Sequence, residues 1–141
     1  MVFKWFYECG QLKILKDKNN NVKVWYQSGR IKSSSDSDGS KNEWYESGKL
    51  KSTYYSVDKR TSIKVNIWHE NGKLKSSYDS IGNGNEWYEN GQSKCLKDDF
   101  NLKEWYVNGQ LKYLNNQFNR KEWYENGQLK VNSYDPSGLF F

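Results

Sequence analysis

This 141-residue chain predicts an all-β fold, an up-and-down antiparallel meander of about seven tandem β-hairpins. Three observations carry that prediction. An eight-residue segment recurs seven times, two clusters of turn-forming residues fall in each period, and there is no alanine and no apolar stripe at helical spacing.

The clearest copy of the segment is Trp123-Tyr124-Glu125-Asn126-Gly127-Gln128-Leu129-Lys130, and its relatives begin at Phe6, Trp25, Trp44, Trp68, Trp87 and Trp105. Their glycines stand at positions 10, 29, 48, 72, 91, 109 and 127, giving steps of 19, 19, 24, 19, 18 and 18 residues. Asn-Gly or Ser-Gly between aromatic and aliphatic residues is a strong hairpin signal, because glycine takes positive φ without a Cβ penalty. A second turn cluster closes each unit, as in Lys18-Asn19-Asn20-Asn21, Asp36-Ser37-Asp38-Gly39, Gly82-Asn83-Gly84, Asp98-Asp99 and Asn115-Asn116.

Two turns per period yield about fourteen strands in one repeat domain, with hairpin units at about 3–18, 22–37, 41–56, 64–80, 84–98, 102–116 and 120–134 and a short tail at 135–141. The single long step places five extra residues between Tyr55 and Val65. That insertion, Ser56 to Ser62, reads either as a loop that gives the chain an individual ligand contact or as a longer turn with no such role.

Two registers compete within each hairpin. A two-residue Asn-Gly loop pairs Tyr124 with Leu129 and Trp123 with Lys130, making a Trp/Lys cation–π row. A three-residue Glu-Asn-Gly turn with a glycine bulge pairs Trp123 with Leu129 and Glu122 with Lys130. The second sets opposite charges against each other at Glu43/Lys51, Glu86/Lys94, Glu104/Lys112 and Glu122/Lys130, each pair worth roughly 0.2 to 1 kcal/mol. It also gathers Trp and Leu on one face, expected to be the inner one, and Tyr, Glu and Lys on the other.

Composition narrows the function. Leu, Ile, Val and Phe make only 28 of 141 residues, near the border of disorder, so 7 Trp and 11 Tyr have to supply the packing. No apolar run approaches a membrane span and no signal-peptide h-region is visible, so a soluble, cytoplasmic protein is expected. Cys9 and Cys95 belong to no metal-ligand cluster and are expected to stay reduced. A net charge of +5 permits an acidic partner without requiring one.

The tandem WYENGQLK-like units resemble the MORN repeat variant, the kind found in bacterial antitoxins of the YwqK type, from about Phe3 to Tyr134. Leu-Lys is followed here by Ser, Tyr or Val, as at Leu74-Lys75-Ser76, where ordinary MORN repeats carry Gly-x-Gly. The resemblance implies an elongated, twisted, largely single-layer sheet in which each hairpin contacts mainly its neighbours. It also implies an antitoxin or immunity role, inhibiting a partner toxin or enzyme by steric occlusion.

Catalysis is not expected. The only histidine, His69, occupies the tyrosine place of its repeat, and Glu8, Glu46, Glu70, Glu89 and Glu125 each sit at one repeated turn position. No phosphate loop, metal motif or dinucleotide fingerprint is present, so no cofactor and no metal are expected. What remains is binding by a surface. Its candidate residues are Tyr26, Tyr45, Tyr88, Tyr106 and Tyr124 with Lys51, Lys75, Lys94, Lys112 and Lys130, since tyrosine supplies contact area at low entropy cost. The expected partner is another protein. The alternative is a structural or adhesion scaffold, with a homodimer through an edge strand, because Val2-Phe3-Lys4-Trp5-Phe6 forms an apolar strand with no preceding cap and Asp135 to Phe141 reads as a turn leading into another strand. Anionic lipid and nucleic acid are less favoured, as glutamates offset the repeated lysines.

Overall fold

The computed structural model describes residues 1–56 and 63–135. It contains fourteen strands and no helix among these residues: β1 (Phe3–Phe6), β2 (Leu12–Lys16), β3 (Val22–Trp25), β4 (Ile31–Ser35), β5 (Lys41–Trp44), β6 (Leu50–Ser56), β7 (Ile63–Trp68), β8 (Leu74–Asp79), β9 (Gly84–Trp87), β10 (Ser93–Lys97), β11 (Asn101–Trp105), β12 (Leu111–Asn116), β13 (Asn119–Trp123) and β14 (Leu129–Tyr134). They fall into two compact units, Met1–Lys73 and Leu74–Phe141. In the first unit β1 to β7 follow one another as an antiparallel meander in chain order, and in the second β8 to β14 do the same.

The repeated turn is the three-residue kind. In the last hairpin the Tyr124 amide donates to the Gln128 carbonyl at 2.8 Å and the Gly127 amide to the Tyr124 carbonyl at 2.9 Å, with Gly127 at φ 84°. A type I turn closed by one left-handed residue has this pattern, and glycine is the residue for which that conformation carries no Cβ penalty. Trp123 accordingly pairs with Leu129.

The next step of the register differs from the expected one. Glu122 lies opposite Val131, not Lys130, because the partner register jumps between Trp123 and Glu122. Lys130 is the extra residue of a β-bulge, and Lys13, Lys32, Lys51, Lys94 and Lys112 are skipped in the same way. The ion pairs survive diagonally in three of the four hairpins, with Lys94 Nζ 2.9 Å from Glu86, Lys112 Nζ 3.3 Å from Glu104 and Lys130 Nζ 3.5 Å from Glu122. Glu43 instead takes Lys41, on its own strand, at 2.6 Å, which leaves the expected Glu43/Lys51 pair unformed. Such exposed pairs are screened by solvent and add little to stability.

The far turns explain why some steps are 19 residues long and others 18. Where the step is 19, the turn spans five residues, as in Asp17 N to Asn21 O, Asp36 N to Ser40 O and Asp79 N to Asn83 O at 2.9 to 3.0 Å. In the first 18-residue step the turn is one residue shorter, with Asp98 N bonded to Asn101 O at 2.9 Å. The leading carboxylate fastens these loops: Asp17 Oδ1 accepts from the amides of Asn19 and Asn21, and Asp98 Oδ1 from those of Phe100 and Asn101. Asn116 does the same with its amide oxygen, accepting from Phe118 and Asn119.

These bonds hold the Asp17 carboxyl (chiefly through the Asn21 side chain) and the Asp98 carboxyl (chiefly through the Phe100 amide) below the ordinary value of 3.8. A depressed carboxyl stabilises the fold above its unfolded value and loses that contribution as pH falls through its folded one. The melting temperature is therefore expected to drop as the pH is taken below 3.8, and to drop less in an Asp17→Asn/Asp98→Asn variant. Asn116 already shows that an amide can hold such a turn. Calorimetry of both proteins across that range checks it, and parallel pH profiles would refute it.

No hydrophobic residue among those described is buried, and the most enclosed residue is Ser76, at 3% exposure. The expectation that tryptophans face inward is corrected accordingly: Trp25, Trp44, Trp68, Trp87, Trp105 and Trp123 are half-buried. Within each unit strands contact only their chain neighbours, so no second layer closes over either face.

The insertion is partly absorbed into strand. β6 and β7 lengthen to 7 and 6 residues, and their pairing runs out to Tyr55 opposite Lys64 and Ser56 opposite Ile63. The remainder of that segment, residues 57–62, and the expected strand after Asp135 lie outside the described residues.

Candidate functional site: the tyrosine and lysine face

In five of the hairpins the turn delivers the tyrosine at the second motif position into the step between that hairpin and the next. Tyr26 donates its hydroxyl to the Trp44 carbonyl at 2.8 Å, Tyr45 to that of Trp68 at 2.7 Å, Tyr88 to that of Trp105 at 2.7 Å, and Tyr106 to that of Trp123 at 2.9 Å. Tyr7, which the sequence reading passed over, does the same to Trp25 at 2.9 Å. The four interior candidates are half-buried, whereas Tyr124 in the last hairpin is 51% exposed. Burial raises the Tyr26 phenol above its usual value, with Glu46, Glu43 and Glu70 adding to the effect, so its hydroxyl keeps the proton it donates.

Each such bond is worth about 1 kcal/mol net. Tyr106→Phe is expected to destabilise the fold by about that amount, and Tyr124→Phe by much less because that ring is largely solvated. Urea denaturation of the two variants measures the difference. Equal midpoints would mean that the hydroxyl bonds contribute nothing.

The five candidate lysines are all exposed, and three of them lie over tyrosine rings. Lys51 Nζ sits 5.9 Å from the centre of the Tyr45 ring, Lys112 6.0 Å from Tyr106 and Lys130 5.9 Å from Tyr124. Two more that the sequence reading omitted complete the series: Lys13 over Tyr7 at 5.2 Å and Lys32 over Tyr26 at 5.4 Å. Their signal was the motif itself, since both occupy its final position in the first two units. Cation–π contact at such exposed sites is worth about 0.5 to 1 kcal/mol. The rings involved are tyrosines, not the tryptophans of the two-residue-loop register, because the bulge swings lysine toward the turn.

Of the remaining candidates, Lys75 is an exposed residue of β8, and Lys94 is held above the usual ammonium range chiefly by its hydrogen bond to Glu86. The second unit brings several candidates together in an open cleft of about 240 Å³ lined by Glu104, Tyr106, Lys112, Tyr113, Glu122, Trp123 and Lys130. Its charges alternate, which suits a polar protein surface better than a buried apolar ligand. Glu122 is held below the ordinary carboxyl range, first by its hydrogen bond from Arg120 and then by Lys130.

No group of three or more His, Cys, Asp or Glu among the described residues is placed to hold a metal ion. Cys9 and Cys95 are free thiols, and burial, followed by Glu104 and Glu86, pushes the Cys95 thiol up, away from the reactive thiolate. No helix among the described residues is long and apolar enough to cross a membrane.

Comparison with known families finds the MORN repeat variant at residues 37–58 and 119–135, which cover the third hairpin and the last. Among proteins of curated function, none is similar enough to the chain to count as a match.

Proposed function

We propose that this chain, built of hairpins that include MORN repeats of the variant type, is a non-catalytic protein-binding module of the antitoxin or immunity kind, which inhibits its partner by occluding it. The observation that carries the reading is the tyrosine and lysine face, whose rings are pinned by hydroxyl bonds from hairpin to hairpin. A face already fixed in place loses little entropy on binding, and that favours a firm complex over a loose one. Tyr26, Tyr45, Tyr88, Tyr106 and Tyr124, with Lys51, Lys75, Lys94, Lys112 and Lys130, are its contact residues. It needs no cofactor or metal, and the cytoplasm is its proposed location.

The test is an affinity pull-down from the source cell at low and moderate salt, with mass-spectrometric identification and the size of the eluate. One stoichiometric protein that survives salt supports the reading. Nucleic acid or lipid alone, lost as salt rises, would refute it.

One feature favours a second reading, the scaffold dimer. Phe3, Trp5 and Phe6 of β1 are 43%, 51% and 56% exposed, and the outer side of β1 has no strand partner among the described residues. Main-chain groups on such an edge accept another strand. A purified protein that sediments as a dimer at micromolar concentration supports this reading, and a monomer refutes it.

A further inference from the structure

The net charge of +5 is confined to one of the two compact units. Residues 1–73 hold 14 Lys and Arg against 8 Asp and Glu, whereas residues 74–141 hold 8 against 9. The lysine series shows why the halves behave differently. In the second unit Lys94, Lys112 and Lys130 are each ion-paired to the glutamate preceding the Trp of their own hairpin. In the first unit that glutamate place is filled by Trp5 and Val24 beside Lys13 and Lys32, and Glu43 is ion-paired to Lys41 at 2.6 Å, with Lys51 acting on it through its charge alone. The repeat thus carries its cations throughout and, Lys75 apart, neutralises them in the second unit; the glutamate place of the Lys75 hairpin is filled by Ile67.

From this we infer that the first unit is the electrostatic docking half of the face, and that Lys13, Lys32 and Lys51 receive carboxylates of an acidic protein partner. The inference rests on the protein-binding reading above. Successive lysines stand two strands apart, about 10 Å at ordinary strand spacing, so a matching partner presents acidic side chains at about that interval. The exposed ammonium groups are already gathered over rings whose hydroxyls are bonded to Trp25, Trp44 and Trp68, so little reorganisation is needed to meet an anion.

The same geometry disfavours single-stranded nucleic acid, which uses open aromatic faces as stacking platforms. Here the ring faces of Tyr7, Tyr26 and Tyr45 are covered by lysines at 5.2 to 5.9 Å. An anionic membrane would be met by basic charge on an amphipathic helix or a polybasic run. The cations here are spaced out along a sheet.

The experiment uses the full chain and polyglutamate as the probe, with single-stranded DNA and phosphatidylserine vesicles measured alongside at the same low ionic strength. Lys13→Gln/Lys32→Gln/Lys51→Gln is expected to weaken polyglutamate binding about tenfold, the sum of three modest exposed charge contacts. Lys94→Gln/Lys112→Gln/Lys130→Gln removes the same charge from the second unit and is expected to change binding about twofold or less. Thermal melts establish that both variants are folded.

Equal losses in the two variants would overturn the inference, because net charge alone would then explain binding. Tighter binding to DNA or vesicles than to polyglutamate would overturn it too. If polyglutamate does not bind while the pull-down still yields a stoichiometric protein, the basic docking half is wrong and the protein-binding reading stands.

Discussion

Gly84→Ala is expected to be the most damaging single-methyl change in this protein. Gly84 opens β9 opposite Tyr78 of β8, and its backbone φ is not positive, so the reason for glycine is space. A Cβ at this position would lie inside van der Waals contact with the Ser77 carbonyl oxygen and 2.8 Å from Tyr78 Cα. Both obstacles are backbone, which cannot swing away as a side-chain tip can. The strand pair must separate, and forced overpacking of this kind costs about 1 to 3 kcal/mol or more. Because Ser76, the most enclosed residue, lies on β8 and pairs with Glu86 of β9, the damage should spread along that pair. Chemical denaturation of the variant, with Gly39→Ala as a turn-glycine comparison, checks this. Gly39 has no atom within 4 Å of an added Cβ and suffers only from its φ of +91°. An unchanged midpoint for Gly84→Ala would mean that the β8–β9 contact is looser than the structure has it.

Trp87→Ala follows in size. Truncating a fully buried tryptophan costs about 3 to 5 kcal/mol, but Trp87 is half-buried at the end of β9 opposite Ser93, so about 2 kcal/mol is expected. In a meander with no second layer no other part of the fold can compensate, so the transition should also broaden as neighbouring hairpins lose their shared support. A thermal melt that keeps both its midpoint and its width would show that the tryptophans only decorate the sheet.

The repeat made the strand pattern legible: the turn glycine, the Trp opposite Leu and the shorter and longer far turns all follow from residues near in sequence. Two things were not legible. The bulge at Lys130 and its counterparts depends on how the backbone leaves a glycine turn, and no side-chain pattern distinguishes an extra residue from a paired one. Burial was misjudged for the tryptophans because their chemistry suits a core, yet a core needs a second layer, and the hairpin signal is silent about layers. For the candidate face, sequence placed tyrosine and lysine together. It missed Tyr7, Lys13 and Lys32, although they occupy the motif positions of the first two units, and it averaged over the whole chain a charge that belongs to one half.

The hydroxyl bonds run in one direction only. Tyr7 reaches forward to Trp25, Tyr26 to Trp44, Tyr45 to Trp68, Tyr88 to Trp105 and Tyr106 to Trp123, and none reaches back. The hairpins of Tyr26, Tyr45 and Tyr106 therefore each supply one donor to their successor and one acceptor to their predecessor. Copying or deleting a whole unit of 18 or 19 residues inside the series leaves that matching intact, whereas losing half a unit strands a phenol or a carbonyl. A gene built this way can lengthen or shorten its product by whole hairpins, extending or trimming the tyrosine and lysine face without redesigning a single joint.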